Sequence, residues 1–229
     1  VIPLAESQDV VGPMAKSVQD AARLLSALVK PKYAERANDI RRAGARPAKL
    51  KKLRLGVINN LGHTNRSVNR AFAALQRRLK TMGAHLIEVS FPNLQPLGQA
   101  EIATLHYEFG RDINRYLKAR KGKIPVDSLA ALIEYNRAHS ADIMPHFGQN
   151  RFLVSEKATA ASEHDYLHAR TTAKRLAGED GIDYLLHRHD LDALIAPSNG
   201  PAWPINYAAG DLYEVGSSSP AAVSGYPAI

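Results

Sequence analysis

The stretch from Leu53 to Phe91 limits this chain more than any other, because its apolar period changes twice in a short distance. Leu53, Leu55 and Val57 alternate, which places them on one face of a short strand. Val68, Phe72, Leu75, Leu79 and Met82 then recur at helical spacing, and Gly83 is set to end that helix in a left-handed turn. Leu86, Ile87, Val89 and Phe91 supply a second strand before Pro92. Strand, helix and strand in this order favour a parallel pair with a right-handed crossover. The expected class is therefore α/β rather than a bundle or a sandwich.

The flanking segments extend this plan. A helix is predicted over Ser17–Val29: Val18, Ala21, Leu24, Leu25 and Leu28 share a face, Ser17 can cap it and Pro31 stops it. Residues 31–51 read as a surface connection. Residues 97–187 read as mostly helical, with one stripe of Ile102, Leu105, Phe109, Ile113 and Tyr116 and a second of Leu129, Leu132 and Ile133 started by Asp127 or Ser128. A short helix is predicted over Phe152–Ala161. Ser162-x-x-Asp165 resembles a capping box that opens a further helix, interrupted by Gly178 and Gly181. Ala193–Ala196 forms a last strand that runs into Pro197. Ser198–Ser219, rich in Gly, Pro, Ser and aromatics, reads as a long loop, and Gly225-Tyr226-Pro227 as a turn entering a strand. Both ends of the chain are read as cuts, since an unfinished strand leaves backbone groups unpaired.

Composition narrows the function. No apolar run is long enough to span a bilayer, so no membrane span is expected. Cysteine is absent, which removes disulfides and thiolate metal sites and suits a reducing cytoplasm, the expected compartment, without excluding periplasm or secretion. The net charge is +8, with a dense patch of Arg41, Arg42, Arg46, Lys49, Lys51, Lys52 and Arg54. That patch reads as a solvated linker, and with no interleaving of aromatic and basic residues no nucleic acid partner is expected.

Two constellations invite chemistry. His164-x-x-x-His168 has a spacing usable for zinc but no third ligand, and His187-x-His189 suits a helix end without a metal. No metal and no cofactor are expected. Ser217-Ser218-Ser219 offers hydroxyls, but the sequence names no base to activate one. On these residues alone the chain is an α/β domain with no assigned reaction.

A resemblance carries the reading further. Ser7-Gln8-Asp9-Val10-Val11-Gly12-Pro13-Met14-Ala15-Lys16-Ser17-Val18-Gln19-Asp20-Ala21-Ala22 resembles the segment that follows the catalytic core of amidase-signature hydrolases, and Ile2-Pro3-Leu4 resembles the strand before it. Asp192-Ala193-Leu194-Ile195-Ala196-Pro197 and Ala221-Ala222-Val223-Ser224-Gly225-Tyr226-Pro227-Ala228-Ile229 resemble two later blocks of that family, in the same order. Leu129 to His139, Met144 to Gln149 and Gly200-Pro201-Ala202-Trp203 resemble the branch that contains bacterial peptide amidases.

The resemblance implies a mixed, mostly parallel β-sheet flanked by helices, with a helical insert. It covers essentially all 229 residues as one partial domain: a strand and helix over 1–30, a β-α-β unit over 53–91, a helical region over 97–189, and a strand with a substrate-side loop over 192–229. It also implies hydrolysis of a carboxamide C–N bond by a Lys, a cis-peptide Ser and a nucleophilic Ser. None of the motifs that carry those three groups is matched here, so no catalytic residue is assigned and the chain alone is expected to be inactive. Unusual exposure of apolar surface is expected with it.

What the resemblance assigns instead is a pocket wall: Asn199, Trp203, Val215, Ser217 and Ser218, with Phe147 from the helical insert. Asp9 is expected to be structural. The implied partner is a small-molecule or peptide amide substrate, and the sequence sets no oligomeric state. Alternatives within reach are a relative of the tRNA-dependent amidotransferase catalytic subunit and a non-catalytic binding fragment.

Overall fold

In the computed structural model the described residues are 2–46, 49–61, 65–160, 162–213 and 216–229. They fall into two compact units, one comprising Lys52–Ile229 with the N-terminal segment through Gln8, the other Asp9–Lys51.

The smaller unit is a helix pair. Helix α1 (Val18–Leu28) starts where expected, with the Ser17 side chain accepting from the Asp20 amide at 3.1 Å. Residues 31–51, expected as a plain connection, instead hold a 3-10 turn (Pro31–Tyr33) and α2 (Ala34–Gly44). The sequence of α2 carries no apolar stripe and buries no residue, so there is no periodic signal to read. Arg41 and Arg42 of the basic patch form its last turn, where cations complement the helix dipole. A Cβ on Gly44 would collide with Ala22, so glycine permits this close α1–α2 approach.

The larger unit is built on a three-stranded parallel sheet. Strand β1 (Arg54–Ile58) lies at its centre, between β2 (His85–Val89) and β3 (Ala193–Ile195). Its register runs from Arg54 opposite His85 to Ile58 opposite Val89, and Leu55 faces Ala193 on the other side. Helix α3 (Arg66–Thr81) joins β1 to β2, capped by Asn65, whose side chain accepts from the Ser67 and Val68 amides. Its apolar stripe is only half covered, and Leu75 and Met82 remain exposed. Arg54 ties the start of β1 to the entry of β3. Its amide donates to Asp192 Oδ2 at 2.7 Å, and its guanidinium donates to the carbonyls of His189 and Asp190.

The helical layer follows β2. It comprises α4 (Leu94–Lys118), α5 (Leu129–Ala138), the short α6 (Ser140–Ile143), α7 (Asn150–Ala158), α8 (Glu163–Ala177) and α9 (Tyr184–His189). Ser128 caps α5 through the Ala131 amide and Ser162 caps α8 through the Asp165 amide. Gly178 and Gly181 fall in a π-helical turn, Gly178–Asp183, that joins α8 to α9. Ile58, Val89, Phe91, Leu97, Leu176, Ile182 and Leu185 form the main core between sheet and helices. A second core of Ile113, Leu117, Leu129 and Ile133 lies between α4 and α5, with Phe109 and Phe152 stacked at its side.

Three segments differ from their expected form. Ile2–Leu4 are irregular rather than a strand, and the residues just after them are fixed by side chains of α4 instead of by a ladder. The serine-rich end of the long loop winds into α10 (Ser219–Ser224), with Pro220 in its first turn, where a missing amide costs nothing. Gly225 then takes φ +84° as the helix stop, and no strand follows it among the described residues.

Candidate functional site

The loop between β3 and α10 begins at the carboxyl end of a parallel sheet, the edge where open α/β sheets receive ligands. Pro197 ends the strand, and from Ser198 to Ser218 no described residue belongs to a helix or strand. The loop is pinched at its neck. The Ser217 amide donates to the Ser198 carbonyl at 3.2 Å, and a Cβ on Gly216 would lie 2.9 Å from that same oxygen. Asn199 sits at this neck, its Oδ1 accepting from the Gly200 amide at 2.8 Å.

Beyond the neck the loop is organised by rings and short turns. Trp203 Nε1 donates to Asp211 Oδ1 at 3.2 Å, and the indole meets Tyr213 edge-on with centroids 6.4 Å apart. Asn206 Oδ1 accepts from the Ala208 and Ala209 amides, an Asx turn that presents Tyr207. The Tyr207 ring lies flat against His146, centroids 3.7 Å apart and planes 13° off parallel. That stack links the loop to the segment between α6 and α7. Little of this surface is covered: Phe147 is 75% exposed, Ile205 80%, Tyr207 61%, Leu212 68% and Tyr213 65%.

The residues expected to line a pocket are thus only partly gathered. Asn199 and Ser217 meet at the neck, and Trp203 is fixed within the loop. Phe147 comes near only through its neighbour His146. Ser218 stands at the start of α10, where its carbonyl accepts from the Ala222 amide and its side chain caps nothing. Val215 lies outside the described residues. Ser219 hydrogen-bonds the carboxyl of Glu101 on α4, whose pKa is raised by burial and only partly lowered again by that bond. The structure adds His146, Tyr207, Asp211 and Tyr213, which sequence reasoning does not single out as lining residues. The density of aromatic side chains between 203 and 213 is the signal that points to Tyr207 and Tyr213, and no such signal marks His146.

A second polar constellation has no counterpart among the sequence expectations. Thr104, Glu108 and Asp112 share one face of α4 and are buried. Glu108 is fully enclosed; its Oε2 accepts from the Ser7 amide at 2.9 Å and from Ser7 Oγ at 2.8 Å, and its Oε1 accepts from the Tyr166 hydroxyl at 2.7 Å. Asp112 accepts from the Glu6 amide at 3.2 Å and from Arg111 at 2.7 Å. Arg111 is held still more firmly in its charged form, chiefly by that bond to Asp112. Burial and donation to Glu108 push the Tyr166 phenol up. Every lone pair used here serves packing, so the network anchors the N-terminal segment rather than offering a reactive group. Beside it, a small cavity of about 140 Å³ is lined by Ser7, Arg170, Lys174 and Ser224 among others.

Other nucleophile-like pairs are structural. His106 Nδ1 and Ser155 Oγ lie 3.0 Å apart, but Ser155 is only 1% exposed and the pair joins α4 to α7. Burial, with Arg151 second, lowers the His106 pKa. Gly110 makes that approach feasible, since a Cβ there would meet the Ser155 carbonyl at 2.7 Å. His164 is exposed and pairs with Asp165 at 3.5 Å. Among the described residues, no group of three or more His, Asp and Glu is placed to hold a metal ion. No helix among them is long and apolar enough to cross a membrane. The loop is therefore a candidate surface for binding.

Known proteins share this architecture. The family model described as Amidase matches residues 1–229. A crystal structure of a peptide amidase, in complex with the competitive inhibitor chymostatin, superposes with a TM-score of 0.81 at 35% identity, covering 98% of this chain and 47% of that one. A probable amidase of Arabidopsis thaliana is 29% identical, matching all of this chain and 43% of its own length. A glutamyl-tRNA(Gln) amidotransferase subunit of Pseudomonas syringae pv. syringae is 27% identical over 90% of this chain and 43% of that protein. The chain spans less than half the length of each.

Proposed function

The chain belongs to the amidase family, and on that premise we propose that it is part of an enzyme that hydrolyses carboxamide C–N bonds, with peptide amides as the substrate class. The observation that carries this reading is the match to a peptide amidase over 98% of the chain. The loop at the carboxyl edge of the sheet supports it, because it offers exposed rings and hydroxyls of the kind that receive a peptide.

In this reading Asn199, Trp203, Ser217 and Ser218 form one wall of the substrate cleft, with Phe147 at its rim and Val215 as a further lining residue. Trp203 is fixed by Asp211, so it presents its ring at low entropic cost. The reacting groups are assigned to the family's Lys–Ser–Ser machinery, and this chain supplies scaffold and wall. A cytoplasmic location is proposed on the absence of cysteine.

The test is ammonia release from a C-terminally amidated dipeptide by the product of the complete reading frame, and by the 229-residue chain beside it. Release by the former alone supports the reading; release by neither overturns it. An amidotransferase-type function is the second reading, favoured by the match to the Pseudomonas protein. It would appear as amide hydrolysis that depends on a partner protein and tRNA.

A further inference from the structure

Asparagine side chains differ in what lies beside their carboxamide carbon. Of the eleven in this chain, Asn199 alone is followed by glycine. A residue without a β-carbon leaves its backbone nitrogen open to close approach, so Gly200 offers Asn199 an uncrowded internal nucleophile. Asn38, Asn69, Asn114 and Asn136 lie within helices, whose ladders hold the next amide toward the preceding turn. Asn59 and Asn60 are turned to Ser90 and Phe91, and Asn206 to the Ala208 and Ala209 amides.

Asn199 is turned on its own neighbour. Its Oδ1 accepts from the Gly200 amide at 2.8 Å, which lays the carboxamide against the nitrogen that follows it in the chain. The residue is exposed, and from Ser198 to Ser218 no described residue belongs to a helix or strand. Water therefore reaches the carboxamide, and no ladder claims the amide. Asp180-Gly181 is the comparable dipeptide elsewhere, but it lies in the π-helical turn with Asp180 paired to Arg175.

We propose that Asn199 is a self-modification site, at which Gly200 converts the carboxamide to a carboxylate with loss of ammonia. The Gly200 nitrogen gives its proton to solvent base and attacks Asn199 Cγ. The N–Cγ bond forms, the Cγ–Nδ2 bond breaks, and Nδ2 takes a proton from solvent and leaves as ammonia, closing a succinimide ring. Water then opens that ring. Addition at Cγ gives aspartate; addition at the main-chain carbonyl gives isoaspartate, in which the backbone runs through the former side chain. Nothing is oxidised or reduced, and each chain consumes a single water and releases a single ammonia.

The position gives the reaction a consequence. Ser198, the preceding residue, closes the loop neck with Ser217, and a Cβ on Gly216 would lie 3.9 Å from Asn199 Oδ1. Either product sets a negative charge at this neck, and isoaspartate also lengthens the main chain there. The inference stands apart from the amidase reading, because it needs only two adjacent residues and a single release per chain is not turnover.

The experiment is incubation of the product of the complete reading frame in mildly alkaline heavy-oxygen water, then proteolysis and mass spectrometry of the peptide spanning Asn199. The expected result is the mass gain of an amide turned acid carrying a heavy oxygen, divided between aspartate and isoaspartate forms. Asn206, in the same loop, is the internal control: conversion at Asn199 should run about tenfold or more ahead of it, as befits reacting atoms already side by side. Gly200→Ala should slow conversion by about tenfold, a comparison that can be made in urea and so needs no folded variant. The unaltered protein should convert at least as fast folded as in urea. Aspartate without isoaspartate, no lead over Asn206, no effect of Gly200→Ala, or a folded rate well below that in urea would overturn the site.

Discussion

The helical layer and the β3–α10 loop are fixed in opposite ways. In the layer, α4 and α8 meet through enclosed polar groups: Glu108 takes three hydrogen bonds and has no exposed surface. In the loop, beyond the short backbone turns at Ser198 and Asn206, the side chains are held ring against ring and by one indole N–H to an exposed carboxylate. Enclosed polar bonds are costly to break, because the group left behind has no water to turn to. Exposed ring contacts are cheap to break, because solvent already shares them. Rigidity is therefore concentrated in the helical layer, and exposed apolar surface in the loop.

That contrast can be broken most sharply at Glu108. Glu108→Ala should destabilise the fold by about 1–3 kcal/mol, measured by chemical denaturation, since it orphans the Ser7 amide and the Tyr166 hydroxyl. A cost under about 1 kcal/mol would mean the network is not the anchor described.

Tyr166 offers a smaller and pH-resolved test. Its folded pKa is raised, first by burial and then by donation to Glu108. The neutral phenol is the form the fold prefers, so its contribution is complete below the ordinary phenol pKa of about 10 and is lost as pH rises through the folded value. Tyr166→Phe should cost about 1 kcal/mol at neutral pH. It should also flatten the alkaline loss of stability seen in melting curves; an unchanged alkaline slope would contradict the assignment.

The smallest effect is expected in the loop. Tyr213→Ala and Tyr207→Ala should each change stability by no more than about 0.5 kcal/mol, as for exposed positions generally. A loop variant that cost as much as Glu108→Ala would erase the distinction between the two regions.

The sequence makes the scaffold legible where periodicity and caps agree. The β1–α3–β2 unit follows from alternation, stripe and Gly83, and Ser17, Ser128 and Ser162 cap their helices as read. Helix α2 is hidden because it has no apolar face to repeat, and α10 because Ser, Pro and Gly read as loop although Pro favours a first turn. Glu108 is hidden for a different reason: a carboxylate on a helix is ordinarily solvated. Thr104, Glu108 and Asp112 do repeat every fourth residue, a polar stripe whose burial only the partners Ser7 and Tyr166 explain. At the site, residue type points to the loop, while the pairing of His146 with Tyr207 depends on two segments meeting in space.

The anchor on Glu108 also sets an order of events during synthesis. Ser7 binds a residue 101 positions downstream, and that residue is completed by Tyr166, a further 58 positions on. At the ribosome's pace of roughly 5–20 residues per second, the opening segment waits on the order of ten seconds or more before its seat exists. Contacts so distant in sequence form late. Stalled nascent chains ending just before and just after α8 should therefore differ in protease sensitivity around Glu6 and Ser7, the shorter ones being cut there.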